Sequence, residues 1–191
     1  MKMLIAPTTA AIATLILGTG AARADHYKDG TQIFKDASQS AAFFAKSYAY
    51  AIFPTIGQGG FVVGGAHGRG QVYSQGTRVG ESTVTQLSVG FQAGGQAYSE
   101  IIFFKDKRAL DEFETGQFQF GAGASAIAIT AAAGAGASTQ GVDAGVSGGE
   151  KDADVAGGYY KGMAVFTIAK GGLMYDASLE GEKFSFKSVK S

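Results

Sequence analysis

Gln86-Leu87-Ser88-Val89-Gly90-Phe91-Gln92-Ala93 is the stretch on which the fold of this chain turns. Leu87, Val89, Phe91 and Ala93 alternate with Gln86, Ser88, Gly90 and Gln92, the period-two pattern of a strand with one buried face. This spacing predicts a sheet with Leu87, Val89 and Phe91 turned towards the core. Further along, Ile101 to Phe104 is apolar at every position, as a central strand covered on both faces would be. Asp106 then offers a cap for a short helix near 107–115 carrying Leu110 and Phe113, with Gly116 to close it.

Towards the N-terminus, Gly59-Gly60-Phe61-Val62-Val63-Gly64-Gly65 reads as a glycine-crowded strand, and His67-Gly68-Arg69-Gly70 as the turn after it. Before that the period changes. Ile33, Phe34, Ala37, Ala41, Phe44, Ala45 and Tyr48 recur at helical spacing, which predicts one amphipathic helix from Thr31 to about Ile52, ended by Pro54. Lys35 and Lys46 lie close to three turns apart and would share a face of it. Met1-Lys2, the apolar run Leu4–Leu17 and the small-x-small site Ala22-Arg23-Ala24 predict a secretory signal over residues 1–24. The domain then spans 25–191 and carries 14 basic against 16 acidic residues, about −2.

Towards the C-terminus, Gln117–Gly149 is a Gly/Ala tract that opens with alternation at Gln117, Phe118, Gln119 and Phe120. Met163–Ile168, Lys170-Gly171-Gly172 and Leu173–Leu179 read as a hairpin, and Phe184 and Phe186 close with period two. The fold class is α+β: a single domain, mostly antiparallel glycine-rich β-sheet, with an N-terminal amphipathic helix.

Composition narrows the function. The 191 residues include 30 glycines, two prolines and no cysteine, and the formal charge is zero. No cysteine means no disulfide, no thiolate metal site and no cysteine nucleophile. A balanced charge argues against nucleic-acid binding driven by a basic field. Three motifs suggest chemistry and lack its context. Gly121–Ala126, with Asp143 beyond it, matches a loose dinucleotide fingerprint, yet Ser125–Thr130 alternates like a strand where a helix must open. Gly145-Val146-Ser147-Gly148-Gly149 matches a nucleophile elbow, but His26 and His67 both precede the serine. Glu150, Asp152 and Asp154 cluster without a twelve-residue calcium loop, and His67 has no second histidine at metal spacing. Neither a catalytic set nor a metal or cofactor site is expected. What remains is surface chemistry. Lys28, Lys35 and Lys46, beside Phe43 and Phe44, would draw an anionic head group and insert an aromatic edge, with Asp25 and Asp36 diluting the patch.

Ala45–Pro54, with its Phe53-Pro54, then Gly59–Gly65 and Gly68-Arg69-Gly70, resembles the opening of the SYLF lipid-binding domain family, which includes yeast actin-patch proteins and exported bacterial members. Ser88–Gly95, Ile101–Phe104, Ala109–Phe113, Gly121–Ile129, Tyr159–Phe166 and Leu179-Glu180-Gly181 follow in the family's order. The segment Gln75–Thr83 departs from it, lacking the Trp and Pro that relatives carry there. The resemblance implies a non-enzymatic module that binds membrane lipid, phosphoinositides in eukaryotic relatives, through a basic N-terminal region. Lys35 and Lys46 are the matching basic positions. Arg69, set in a glycine-rich loop, adds a candidate phosphate contact. The implied partner is an anionic phospholipid surface; actin, bound by some fungal relatives, is not expected for an exported chain. Two other classes compete with this reading: a small outer-membrane β-barrel, and a structural envelope component that recruits a protein partner along a sheet edge.

Overall fold

The computed structural model describes residues 19–60, 63–89, 94–121, 124, 126–129, 159, 161–170, 179 and 181–189. Two helices come first, α1 (Thr19–Asp36) and α2 (Ser38–Lys46). The strands β1 (Ala49–Gly60), β2 (Val63–Ser74), β3 (Thr77–Val89) and β4 (Gly94–Phe104) follow. Then come α3 (Lys107–Glu114), β5 (Ile127–Ile129), β6 (Met163–Ala169) and β7 (Lys183–Ser188). One sheet holds all the strands in the order β5-β6-β4-β1-β2-β3-β7, antiparallel throughout except for the parallel edge strand β5. Among the described residues the order is linear and the sheet open. An outer-membrane barrel needs a closed ring with an apolar outer band, so the barrel reading is set aside. Among the described residues no helix is long and apolar enough to cross a membrane.

The sheet has a core on each side. The inner face holds Phe53, Ile56, Val72, Val84, Ile102, Phe104 and Phe184, closed by Leu110 and Phe113 of α3 and by Phe118 and Phe120. The outer face holds Ile52, Ile101, Phe103 and Phe166, covered by Phe34 of α1 and by Phe43 and Phe44 of α2. Ile101–Phe104 therefore sends alternate side chains into both cores, as its uninterrupted apolarity predicts. Phe118 and Ala124 bond to the segments on either side of Glu182. The Phe184 N–H donates to the Phe118 carbonyl (2.9 Å) and that of Leu179 to the Ala124 carbonyl (3.0 Å), and the chain then enters β5 beside β6.

The α3 helix forms as expected. The Asp106 carboxylate accepts from the Ala109 N–H at 2.9 Å, and Gly116 closes the end at φ +69°. Four other expectations are corrected. The single helix is two: Ala37 is extended, and the Ser40 hydroxyl, fully buried, donates to the Phe34 carbonyl at 2.6 Å, holding the break. The helical region ends at Lys46, and Pro54 lies inside β1. Proline has no N–H for the ladder, and the register shifts between Ile52 and Ile56. Phe53 and Ile56, three apart, consequently face the same core. His67–Gly70 is mid-strand in β2. The real turn is Gln75-Gly76, with φ of +48° and +80°, the pair of positive angles that a two-residue hairpin requires. Thus Gln75–Thr83 is a turn leading into a strand, and no long loop. Finally, the parity of β3 is inverted: Gln86 is buried and Leu87 is 76% exposed. After the dinucleotide-like stretch that begins at Gly121, Ile127–Ile129 is strand β5, where the fingerprint needs a helix. The elbow at Gly145–Gly149, the acidic residues 150–154, the Gly/Ala tract from 130 and all but Leu179 of the strand expected over Leu173–Leu179 lie outside the described residues; Leu179 itself is in no strand.

Candidate functional site

Half of the outer face lies under α1 and α2; among the described residues nothing covers the other half. Register and burial identify what it presents. A Cβ on Gly68 would sit 2.6 Å from Ile56, and one on Gly70 2.5 Å from the Phe53 ring. Both glycines therefore face the inner core, which turns His67 and Arg69 outward. Val84 and Phe184 also point inward, so Thr83, Thr85, Lys183, Ser185 and Lys187 point outward with them. The ladder sets these side chains in rows. Gly57, His67, Thr85 and Lys183 form one; Arg69, Thr83 and Ser185 the next; Gln71, Glu81 and Lys187 a third. A fourth row, Gly59, Gly65 and Leu87, carries the exposed leucine. The Thr83 and Ser185 hydroxyls bond each other across the strands. At the margin the Lys170 ammonium donates to the Thr55 hydroxyl (2.9 Å), which also lies 3.4 Å from the His26 ring nitrogen of α1. The result is a polar surface floored with glycine and hydroxyls and lined with cations. Glu81 is its carboxylate, and Arg78 approaches that at 3.6 Å.

The expected site residues distribute over this one side of the molecule. Lys28, Lys35 and Lys46 are exposed on α1 and α2, and Arg69 is exposed on the open half of the sheet. Among the described residues none of the four is in an ion pair. The helices alone make a weaker patch than their lysines suggest, because Asp25, Asp29 and Asp36 are also exposed on α1. Lys35 lies over the Phe44 ring, 5.5 Å from its centroid. Phe43 and Phe44 pack at 5.5 and 4.9 Å from Phe103 and are half-buried, so neither is free to enter a membrane. Arg69 stands in a strand whose register pairs it with Thr83, so the loop expected to cradle a phosphate is absent there. Lys170 is expected only as a turn residue, and Lys183 and Lys187 are not among the expected site residues. Their signal was available: Lys183, Ser185 and Lys187 alternate with Phe184 and Phe186.

A shallow cleft elsewhere, beside α3, is lined by Glu112, Gln117, Phe120 and Lys161. Glu112 already meets Arg108 at 3.5 Å.

A family model described as Ysc84, Las17-binding protein actin regulator, matches residues 85–189. The chain belongs to this family. The resemblance to SYLF domains is therefore correct, and membership in the Ysc84 family supports a binding module of the lipid-binding type. The matched residues take in Lys170, Lys183 and Lys187, while Arg69 and the helical lysines precede them. Beta cell expansion factor A of Aeromonas veronii is 25% identical over 156 residues, covering 80% of this chain and 51% of that protein. The chain thus spans about half the length of the curated relative it matches.

Proposed function

We propose that this Ysc84-family chain is an exported, non-enzymatic module that docks on anionic phospholipid through the outer side of its sheet. The observation that carries the reading is the open half-face, where Arg69, His67, Lys183 and Lys187 converge from β2 and β7 with Glu81 as the opposing charge. Lys28, Lys35 and Lys46 extend it over the helices. A flat, hydroxyl-lined sheet carrying cations suits a layer of phosphate head groups. Each cation near such a surface contributes about 1 kcal/mol and is screened by salt.

Co-sedimentation with neutral and anionic vesicles at low and high salt tests this. The chain binds anionic vesicles, and binding weakens with salt. Arg69→Glu with Lys183→Glu lowers affinity by roughly tenfold or more, since two contributions are removed and two repulsions added. Lys35→Glu with Lys46→Glu has the smaller effect, because carboxylates already offset the helix. Equal binding by the Arg69/Lys183 variant and the parent would overturn the assignment. Export through residues 1–24 belongs to the same proposal, and processing of the full chain in a secreting host checks it.

A further inference from the structure

The inner face of the sheet becomes polar beyond its aromatic core. Tyr98 and Glu100 of β4 share that face with Ile102. Thr167 of β6 is the direct ladder partner of Glu100 and lies between Phe166 and Ile168, which face outward, so it too points inward. Glu182, just before β7, completes the group: the Tyr98 hydroxyl donates to its Oε1 at 3.1 Å. Glu100 is fully buried, and Thr167 and Glu182 are each 1% exposed. Both Glu100 carboxylate oxygens, Glu182 Oε2 and Thr167 Oγ1 have no hydrogen-bond partner.

Four orphaned buried oxygens in one group are costly, and no base answers the two carboxylates among the described residues. Burial raises the affinity of both for protons, and the Glu182 carboxylate raises that of Glu100 further; the Tyr98 hydroxyl lowers that of Glu182, which burial still pushes up to about 8. Protons would cancel the charge, but no hydrogen bond joins these oxygens to one another in the structure. A hard cation is different. It gathers several oxygens about itself at about 2.0–2.6 Å, and it needs no contact between them. The next inner rungs are also largely polar: Gln58 pairs with Gln96 and Ala66, Ala66 pairs with Gln86, and Gln96 is exposed.

We infer that Glu100, Glu182 and Thr167, with Tyr98 beside them, form a binding site inside the sheet for a hard divalent cation of the calcium or magnesium class. Carboxylate and hydroxyl oxygens are the donors such ions take. With two carboxylates rather than three or four, the affinity belongs to the weak range, on the order of 10⁻⁴ to 10⁻³ M. The site is separate from the basic outer face and does not depend on the lipid reading.

Terbium(III) titration of the full chain, with tyrosine excitation, is the test. The chain has no tryptophan, so sensitised emission comes from tyrosine, and Tyr98, hydrogen-bonded to Glu182, is a donor at the site. Saturable emission that calcium displaces is expected, together with a calcium-dependent rise in melting temperature. Glu100→Gln with Glu182→Gln abolishes both; because it removes two buried charges while keeping shape, this variant should fold. Tyr98→Phe loses emission and keeps the calcium-dependent shift. Thr167→Val, the milder variant, folds and lowers affinity roughly tenfold. Changing Glu150, Asp152 and Asp154 to their amides leaves the response intact. The proposal is overturned if emission follows that acidic triplet, if the Glu100/Glu182 variant binds as the parent does, or if stability responds to pH alone and to no cation.

Discussion

Glu182 and Gly70 show how single residues depend on neighbours distant in sequence. Nothing around Glu182 in the chain marks it as buried; Tyr98, 84 residues away, donates to it from another strand. In the folded chain its carboxyl keeps a proton up to about pH 8, whereas an unfolded glutamate releases it near 4.3. The folded state therefore holds more protons between those values. Stability contributed by the protonated group is complete below about pH 4, falls as pH rises through about 8, and then levels. The limiting slope is ~1.4 kcal/mol per pH unit for one group. Urea unfolding from pH 5 to 8, with a chelator present, should show this decline in the parent, and a nearly flat profile in Glu100→Gln with Glu182→Gln. A parent profile that rises with pH would refute the buried-acid account. Gly70 is simpler. A methyl group there would meet the Phe53 ring at 2.5 Å, so Gly70→Ala should cost about 1–3 kcal/mol in urea unfolding.

At the scale of elements, local chemistry was readable wherever a side chain bonded its own neighbourhood. The Asp106 cap and Gly116 stop are of this kind, and Asp106→Ala should cost ~1 kcal/mol in a thermal or urea melt. The front helix misled because periodicity records which residues are apolar and not where the backbone breaks. Ser40 holding the Phe34 carbonyl is a contact between turns, and it splits Ala37 from both helices. Pro54 misled in the opposite sense: it disrupts a ladder as readily as a helix, and here a bulge absorbs it. The alternation at Gln86–Ala93 marks the end of strand β3, Gln86–Val89, but with its faces exchanged. Period two shows that faces differ; it does not show which one the core takes, and Gln86 won that place over Leu87. Leu87→Ser should accordingly change stability by less than ~0.5 kcal/mol. A loss of 2 kcal/mol or more would mean that Leu87 is buried after all.

For the molecule as a whole, Phe184 is where the parts meet. Its ring lies 5.6 Å from Phe53 of β1, 5.2 Å from Phe113 of α3 and 5.7 Å from Phe120, which follows α3. Phe184→Ala should cost about 3–5 kcal/mol in urea unfolding, as losses of fully packed aromatic rings do; a cost below 1 kcal/mol would mean that those elements do not share a core. The sequence alone determined the α+β class, the central strand at Ile101–Phe104, the capped helix after it and the family, because these rest on patterns within a few residues or on their order along the chain. It also supplied Arg69 and the helical lysines as cations. Tertiary structure decided which cations stand together. Lys183 and Lys187 join Arg69 because β7 pairs with β3, roughly a hundred residues earlier, and β3 with β2. It likewise brought Glu100, Thr167 and Glu182 to one buried place. Local sequence carries alternation and capping, but strand order and register, which set the neighbours of every side chain on a sheet, arise only when distant segments pair and bury their faces together.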